Sequence, residues 1–209
     1  MTKTVRLLGA AIAALSLAGL SACASTPVEP SPSSAPSSAA SESPSAPAEE
    51  TIDLDDPSTW IISGAGIGPV VRGAAVPTAA GALGPYVRNA DTQCPNPGAL
   101  WFESGPSNPP LLAVAEDGET EAQWVSVSSW GTEPRTEQSP QTETGIRLGA
   151  TLAETQSAYP ELELSRENGG SNLYAVEDGD GWVVFNVQDD VIVTITASPT
   201  NTTPSEYCG

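Results

Sequence analysis

Three cysteines, 26 carboxylates and no histidine are the side chains through which this 209-residue chain could do chemistry. Without histidine there is no Ser–His or Cys–His nucleophile system, and the commonest general base and metal ligand is lost with it. Acids remain for proton transfer or cation binding. Among 26 of them carboxylate pairs always exist, so abundance alone does not point to glycoside cleavage, where the separation across a cleft decides. The densest cluster is Glu177-Asp178-Gly179-Asp180. As calcium ligands these would need further oxygens from elsewhere, whereas Asp-Gly is a common hairpin turn pair; the turn is the expected reading and a metal the alternative. Asp53, Asp55 and Asp56 lack the ligand spacing and closing glutamate of a calcium loop and read as a solvated approach to the domain. The glycine-rich residues 64–69 lack the Lys-Ser/Thr of a phosphate loop, and Pro69 removes a donor. The chain therefore reads as a non-enzyme, with no catalytic residue, no metal site and no cofactor.

The first cysteine has a more definite context. Leu20-Ser21-Ala22-Cys23 closes a short apolar stretch, residues 7–20, that follows Lys3 and Arg6. This is the three-part layout of an export signal, too short for a permanent membrane helix. The tetrapeptide resembles the lipobox of bacterial lipoproteins. That resemblance implies cleavage between Ala22 and Cys23, acylation of Cys23, and a mature chain held at the extracytoplasmic face of the cell membrane by its lipid. Residues 1–22 would then be the signal peptide. Residues 23–50 would be the lipidated cysteine and a linker of Ser, Pro, Ala and Glu that cannot order itself and would reach about 30 Å. The layout of lipobox, Ser/Pro tract and an Ala/Gly/Pro-rich domain with scarcely any lysine is similar to lipoproteins of high-GC actinobacteria.

If Cys23 carries lipid, Cys94 and Cys208 are left as an even pair in an exported protein, where disulfides persist. A bond between them would constrain the unfolded chain by roughly 4–5 kcal/mol. The alternatives, a reactive thiol or a metal ligand, lack neighbouring cysteine or histidine. Loss of the leader leaves five basic residues, all arginine, against 26 acids, a net charge of −21. Such a surface repels phosphate backbones and anionic headgroups, so nucleic acid is not an expected partner and the lipid is the expected membrane attachment.

Residues 51–209 are long enough for one domain burying about 70% of its unfolded surface. A faint duplication with a period of 76 aligns Gly73 with Gly149, Val76 with Leu152 and Leu83 with Tyr159, giving one unit over about 60–130 and another over about 142–198. In the second, Thr151 and Glu154 have capping-box spacing, residues 152–159 form an apolar helical face, and Pro160 ends it. In the first, Pro77 and Thr78 start a weaker helix ending at Gly84-Pro85. Alternating strands are expected at 99–103, 111–115 and 123–129, and again at 172–176, 181–187 and 191–197. The sum is an α+β domain of two helix-plus-antiparallel-strand repeats.

Trp101, Trp124, Trp130 and Trp182 fall on or beside these strands, as core or sheet-face residues or as exposed anchors for a protein or sugar partner. Arg72 and Arg147 stand near the two helix starts, paired to acids or facing an anionic ligand. Trp101, Trp124 and Arg147 are the candidate ligand contacts. The stretch from Gly145 to Glu154 resembles the opening of repeats in the beta-lactamase inhibitory protein family and in the small lipoproteins of the outer-membrane assembly machinery. That resemblance implies a binding module with a protein or cell-wall partner. The expected function is a membrane-anchored, non-enzymatic binding domain; a carboxylate-based envelope hydrolase and a purely structural surface protein are the alternatives.

Overall fold

The computed structural model describes residues 52–90, 94–116, 119–129 and 136–207. The chain divides into Met1–Pro47 and Ala48–Gly209. The export signal, Cys23, the linker, Trp130 and Cys208 lie outside the described residues, as do two residues of the turn at 116–118.

Twelve strands and one α-helix follow a 3-10 turn at Pro57–Thr59. A small sheet contains β1 (Ile61–Ser63), β2 (Gly66–Ile67), β3 (Val70–Val71) and β8 (Gln141–Thr142), in the order β3-β2-β1-β8. A large sheet is built from β4 (Val87–Asn89), β5 (Ala99–Glu103), β6 (Leu111–Ala115), β7 (Ala122–Ser128), β9 (Glu163–Asn168), β10 (Ser171–Asp178), β11 (Gly181–Gln188) and β12 (Val191–Ser198). Its order is β4-β5-β6-β7-β12-β11-β10-β9, antiparallel throughout. Two four-stranded meanders thus meet at the β7–β12 seam. Helix α1 (Leu152–Ala158) lies in the connection between them.

The six strands expected from alternation stand within two residues of their expected limits. The α+β expectation is nevertheless corrected: the domain is predominantly β, with one short helix rather than two. Residues 79–85 form a bend and consecutive turns instead, in which Ala82 N–H donates to Ala79 O and Gly84 N–H to Gly81 O. Gly81 (φ 79°) and Gly84 (φ 57°) are left-handed, and glycine costs about 1 kcal/mol against alanine inside a helix. A Cβ at Gly84 would meet the Leu54 carbonyl oxygen. Thr78 also has a glycine three residues on, where Thr151 has Glu154. In α1 the Thr151 hydroxyl accepts from Glu154 N–H at 3.2 Å while the Glu154 carboxylate accepts from Thr151 N–H at 2.7 Å, a complete capping box.

The two meanders are entered in the same way. Gly73 N–H donates to Ala122 O (2.8 Å) and Ala122 N–H to Ala74 O (3.0 Å). Seventy-six residues on, Gly149 N–H donates to Ile192 O (2.9 Å) and Ile192 N–H to Ala150 O (2.9 Å). Both glycines have positive φ, 71° and 86°.

Strand pairing gives the large sheet two unlike faces, because successive side chains point to opposite sides. One transverse row, Phe102–Leu111–Val127–Ile195–Phe185–Tyr174, is apolar across its middle and faces the small sheet and α1. Trp60, Ile62, Ile67 and Val70 supply the other half of this inner core. Trp60 is fixed by a 2.8 Å hydrogen bond from its indole N–H to Asp53 O and by contact with Tyr86 at 5.6 Å between ring centres. Tyr159, which caps α1, reaches Phe185 at 5.8 Å. The adjacent row on the other face reads Trp101–Leu112–Ser126–Thr196–Val184–Ala175. It is apolar at both ends and hydroxylated in the middle.

Candidate functional site

The outer face of the large sheet is where side chains converge without filling space. Three sequence features build it. Central β7 and β12 place hydroxyls outward: Ser126 Oγ and Thr196 Oγ1 are 2.9 Å apart, and Thr194 Oγ1 donates to Ser128 Oγ at 3.3 Å. All four residues are buried, and mutual pairing satisfies them there. Trp101, Leu112, Val114 and Trp124 pack on the first-meander side, and Leu173, Val184 and Trp182 on the second. The C-terminal segment after β12 then crosses the face.

Short hydrogen bonds hold that segment. Arg166 on β9 donates through Nη2 to Thr202 Oγ1 and Thr203 O, and Ser165 Oγ donates to Asn201 O. Ser198 Oγ donates to Thr202 O at 2.7 Å. At the far end Asn96 Nδ2 donates to Tyr207 O at 3.1 Å, and the Cys94 sulfur lies 3.9 Å from the same oxygen.

A cavity remains on each side of the segment. The first, about 350 Å³, lies between Pro204–Tyr207 and the Trp101, Leu173, Val184, Asn186 and Thr196 side chains, with Arg166 and Glu206 also in its wall. The second, about 400 Å³, is more open and includes Val114, Trp124, Pro204 and Tyr207. Among the described residues three buried side-chain polar atoms lack a partner, Asn108 Oδ1, Trp124 Nε1 and Asn186 Oδ1, and the last two belong to residues lining these cavities. Each such atom costs about 1–3 kcal/mol unless something meets it.

The candidate contacts separate by layer. Trp101 and Trp124 are brought together, half-buried, in one outer-face cluster that also takes in Cys94 and Tyr207. Arg147 is elsewhere: its Nη2 donates to Gln141 Oε1 beside the small sheet. Arg72 meets no acid among the described residues. Its Nε donates to Gln123 O at 3.0 Å and its Nη1 to Ser198 O at 2.9 Å and to Gly64 O, and burial pulls its pKa down. It clamps the β1–β2 turn to the large sheet. Glu177 and Asp178 end β10 and Gly179-Asp180 form the two-residue turn to β11, with Gly179 at φ 60°, and Asp178 Oδ2 accepts from Gly64 N–H at 2.9 Å. Among the described residues no three His, Cys, Asp or Glu side chains gather as a metal site would require.

Residues Arg166, Asn186, Thr194, Thr196 and Glu206 were not singled out by the sequence. Asn186 alone gave a signal, a polar amide amid the apolar β11 run. A further hollow beside Ile52, Ile61 and Val71 has Asp53 as its one charged side chain. No protein-family model, no curated protein and no solved structure matches this chain.

Proposed function

We propose that this protein is a lipid-anchored, non-enzymatic binding module at the extracytoplasmic face of the cell membrane, and that its binding site is the roofed cavity on the outer face of the large sheet. The observation that carries the binding reading is the 350 Å³ cavity, walled by Trp101, Leu173, Val184 and Asn186 and roofed by Pro204–Tyr207. Pockets of this size, apolar with a few polar groups, are the usual form of a small-molecule site. The alternative, a carboxylate hydrolase, needs two acids facing one cleft; the roofed cavity has Glu206, and the more open one beside it has Glu116 and Glu206.

The anchor rests on the lipobox at Cys23, with cleavage after Ala22, and on the Ser/Pro tract that follows. Cys94–Cys208 is the proposed cross-link. Its support is the approach of Cys94 to the carbonyl of Tyr207, the residue before Cys208. Such a bond would fasten the segment that roofs the cavity.

The test has two arms. Intact mass of membrane-extracted protein should show a chain starting at Cys23 plus acyl mass, lost in Cys23→Ala; a lipid-free chain cut elsewhere removes the anchor. Titration of the full mature chain with 1-anilinonaphthalene-8-sulfonate should saturate at one site and be abolished in Val184→Phe, which fills the cavity. Undiminished binding in that variant, or none in the wild type, removes the binding reading.

A further inference from the structure

The cavity wall holds two opposite charges that do not meet. Arg166 spends Nη2 on Thr202 and Thr203, leaving Nε and Nη1 without a partner among the described residues. Glu206, on the roof, makes no hydrogen bond or ion pair among the described residues. Glu206 is exposed on the roof and Arg166 half-buried in the wall, so the two opposite charges stand apart at the edges of an apolar space. Between them the wall is Trp101, Leu173 and Val184, with the Asn186 amide and the Thr194 and Thr196 side chains as its polar part.

We propose that the cavity takes a small zwitterion with an apolar side chain, an amino acid or dipeptide. The ligand carboxylate meets the open edge of Arg166, its ammonium meets Glu206, and its side chain lies on Trp101, Leu173 and Val184. A peptide carbonyl of the ligand accepts from the Asn186 side-chain amide in the wall. Size agrees: at about 30 Å³ per water, 350 Å³ is the room of roughly a dozen waters, a small solute and not a folded partner. Charge agrees as well. A mature chain of net −21 repels simple anions, so a carboxylate ligand gains from carrying its own positive end, and Arg166 is the one basic residue in the wall. Arginine presents a planar fork suited to carboxylate.

This inference rests on the outer-face cavity being the binding site, and the experiment separates the two. Full mature protein in detergent is titrated with Leu-Leu, with its N-acetyl form, with its C-terminal amide and with the doubly capped compound, read by tryptophan fluorescence and calorimetry. Leu-Leu should bind tightest. Removing either charge should weaken it about tenfold, the effect of one charge-assisted hydrogen bond. In Glu206→Gln the N-acetyl penalty should vanish while the C-amide penalty stays; in Arg166→Lys the C-amide penalty should shrink with folding preserved by the retained charge. Equal binding of the charged and doubly capped compounds overturns the zwitterion. So does binding of anilinonaphthalene sulfonate, blocked by Val184→Phe, with no response to any peptide, although the cavity then remains a site. Failure of both probe classes overturns both readings.

Discussion

The two faces of the large sheet are made by the same strands, yet one is sealed and the other is not. On the inner face Phe102, Leu111, Val127, Ile195 and Phe185 form a continuous apolar row closed by Trp60, Ile62 and Val70 from the second layer. On the outer face the row one residue along is broken at its centre by Ser126 and Thr196 and closed only by an irregular segment with cavities beside it. Rigid layers can interdigitate to crystal-like density; a nine-residue strap over hydroxyls cannot. Stability therefore resides on the inner face and adaptable surface on the outer.

That difference can be broken from either side. Phe185→Ala removes a fully buried ring and the Tyr159 contact that seats α1, and should cost about 3–5 kcal/mol in urea unfolding. A loss under 1 kcal/mol would mean the inner core is not the stabilising one. Removing the proposed outer-face cross-link by Cys94→Ala should cost about 2–4 kcal/mol, with the same loss on reducing the wild type. It should also open the cavity, so that anilinonaphthalene sulfonate dissociates faster; unchanged unfolding and release would show that the hydrogen bonds from Asn96, Ser165, Arg166 and Ser198 suffice to hold the segment. Thr196→Ala should cost about 1 kcal/mol, since it leaves the Ser126 hydroxyl buried with its partner gone, and Ser126→Ala in the same chain should restore part of the loss.

The smallest effect concerns the helix on the inner side. Hydrogen bonds from the Thr151 backbone and then its hydroxyl hold the Glu154 carboxyl below the ordinary glutamate range. A lowered folded-state pKa stabilises above the unfolded value and is lost as pH falls through the folded one. Unfolding followed from pH 6 to pH 3 should therefore show Glu154→Gln losing less stability than wild type over the acid part of that range. Parallel profiles would mean the cap contributes nothing to the pH response.

Much of the sheet was legible because alternation is a local signal. Val191, Val193 and Ile195 against Ile192, Thr194 and Thr196 mark a strand whatever surrounds it. The absent first helix was misread because alanines at 79, 80 and 82 suggested helix while Gly81 and Gly84, both left-handed, decided for turns. Strand β9 escaped notice since its sequence, Glu-Leu-Ser-Arg-Glu-Asn, is the charged one an edge strand needs and carries little periodicity. Of the site, Trp101 and Trp124 were visible as sheet-face aromatics. Arg166, Asn186 and Glu206 were not, because they meet only through pairing of β9 with β10 and β10 with β11 and through the path of residues 199–207. Arg147 stands near the start of α1 and meets Gln141 beside the small sheet, away from the outer-face cluster.

The position of β12 has a consequence for how the domain comes into being. The last described strand lies in the middle of the large sheet, between β7 and β11, and among the described residues it makes the strand pairing that joins the two meanders. A polypeptide emerging amino end first, from a ribosome or through a translocation pore, thus presents β4–β7 with one edge bare for some 60 residues of further elongation. Only when residue 198 is free can the halves zip together along their seam. Folding is accordingly a late, near-simultaneous event, and a chain truncated before β12 has two half-sheets left unpaired at their seam.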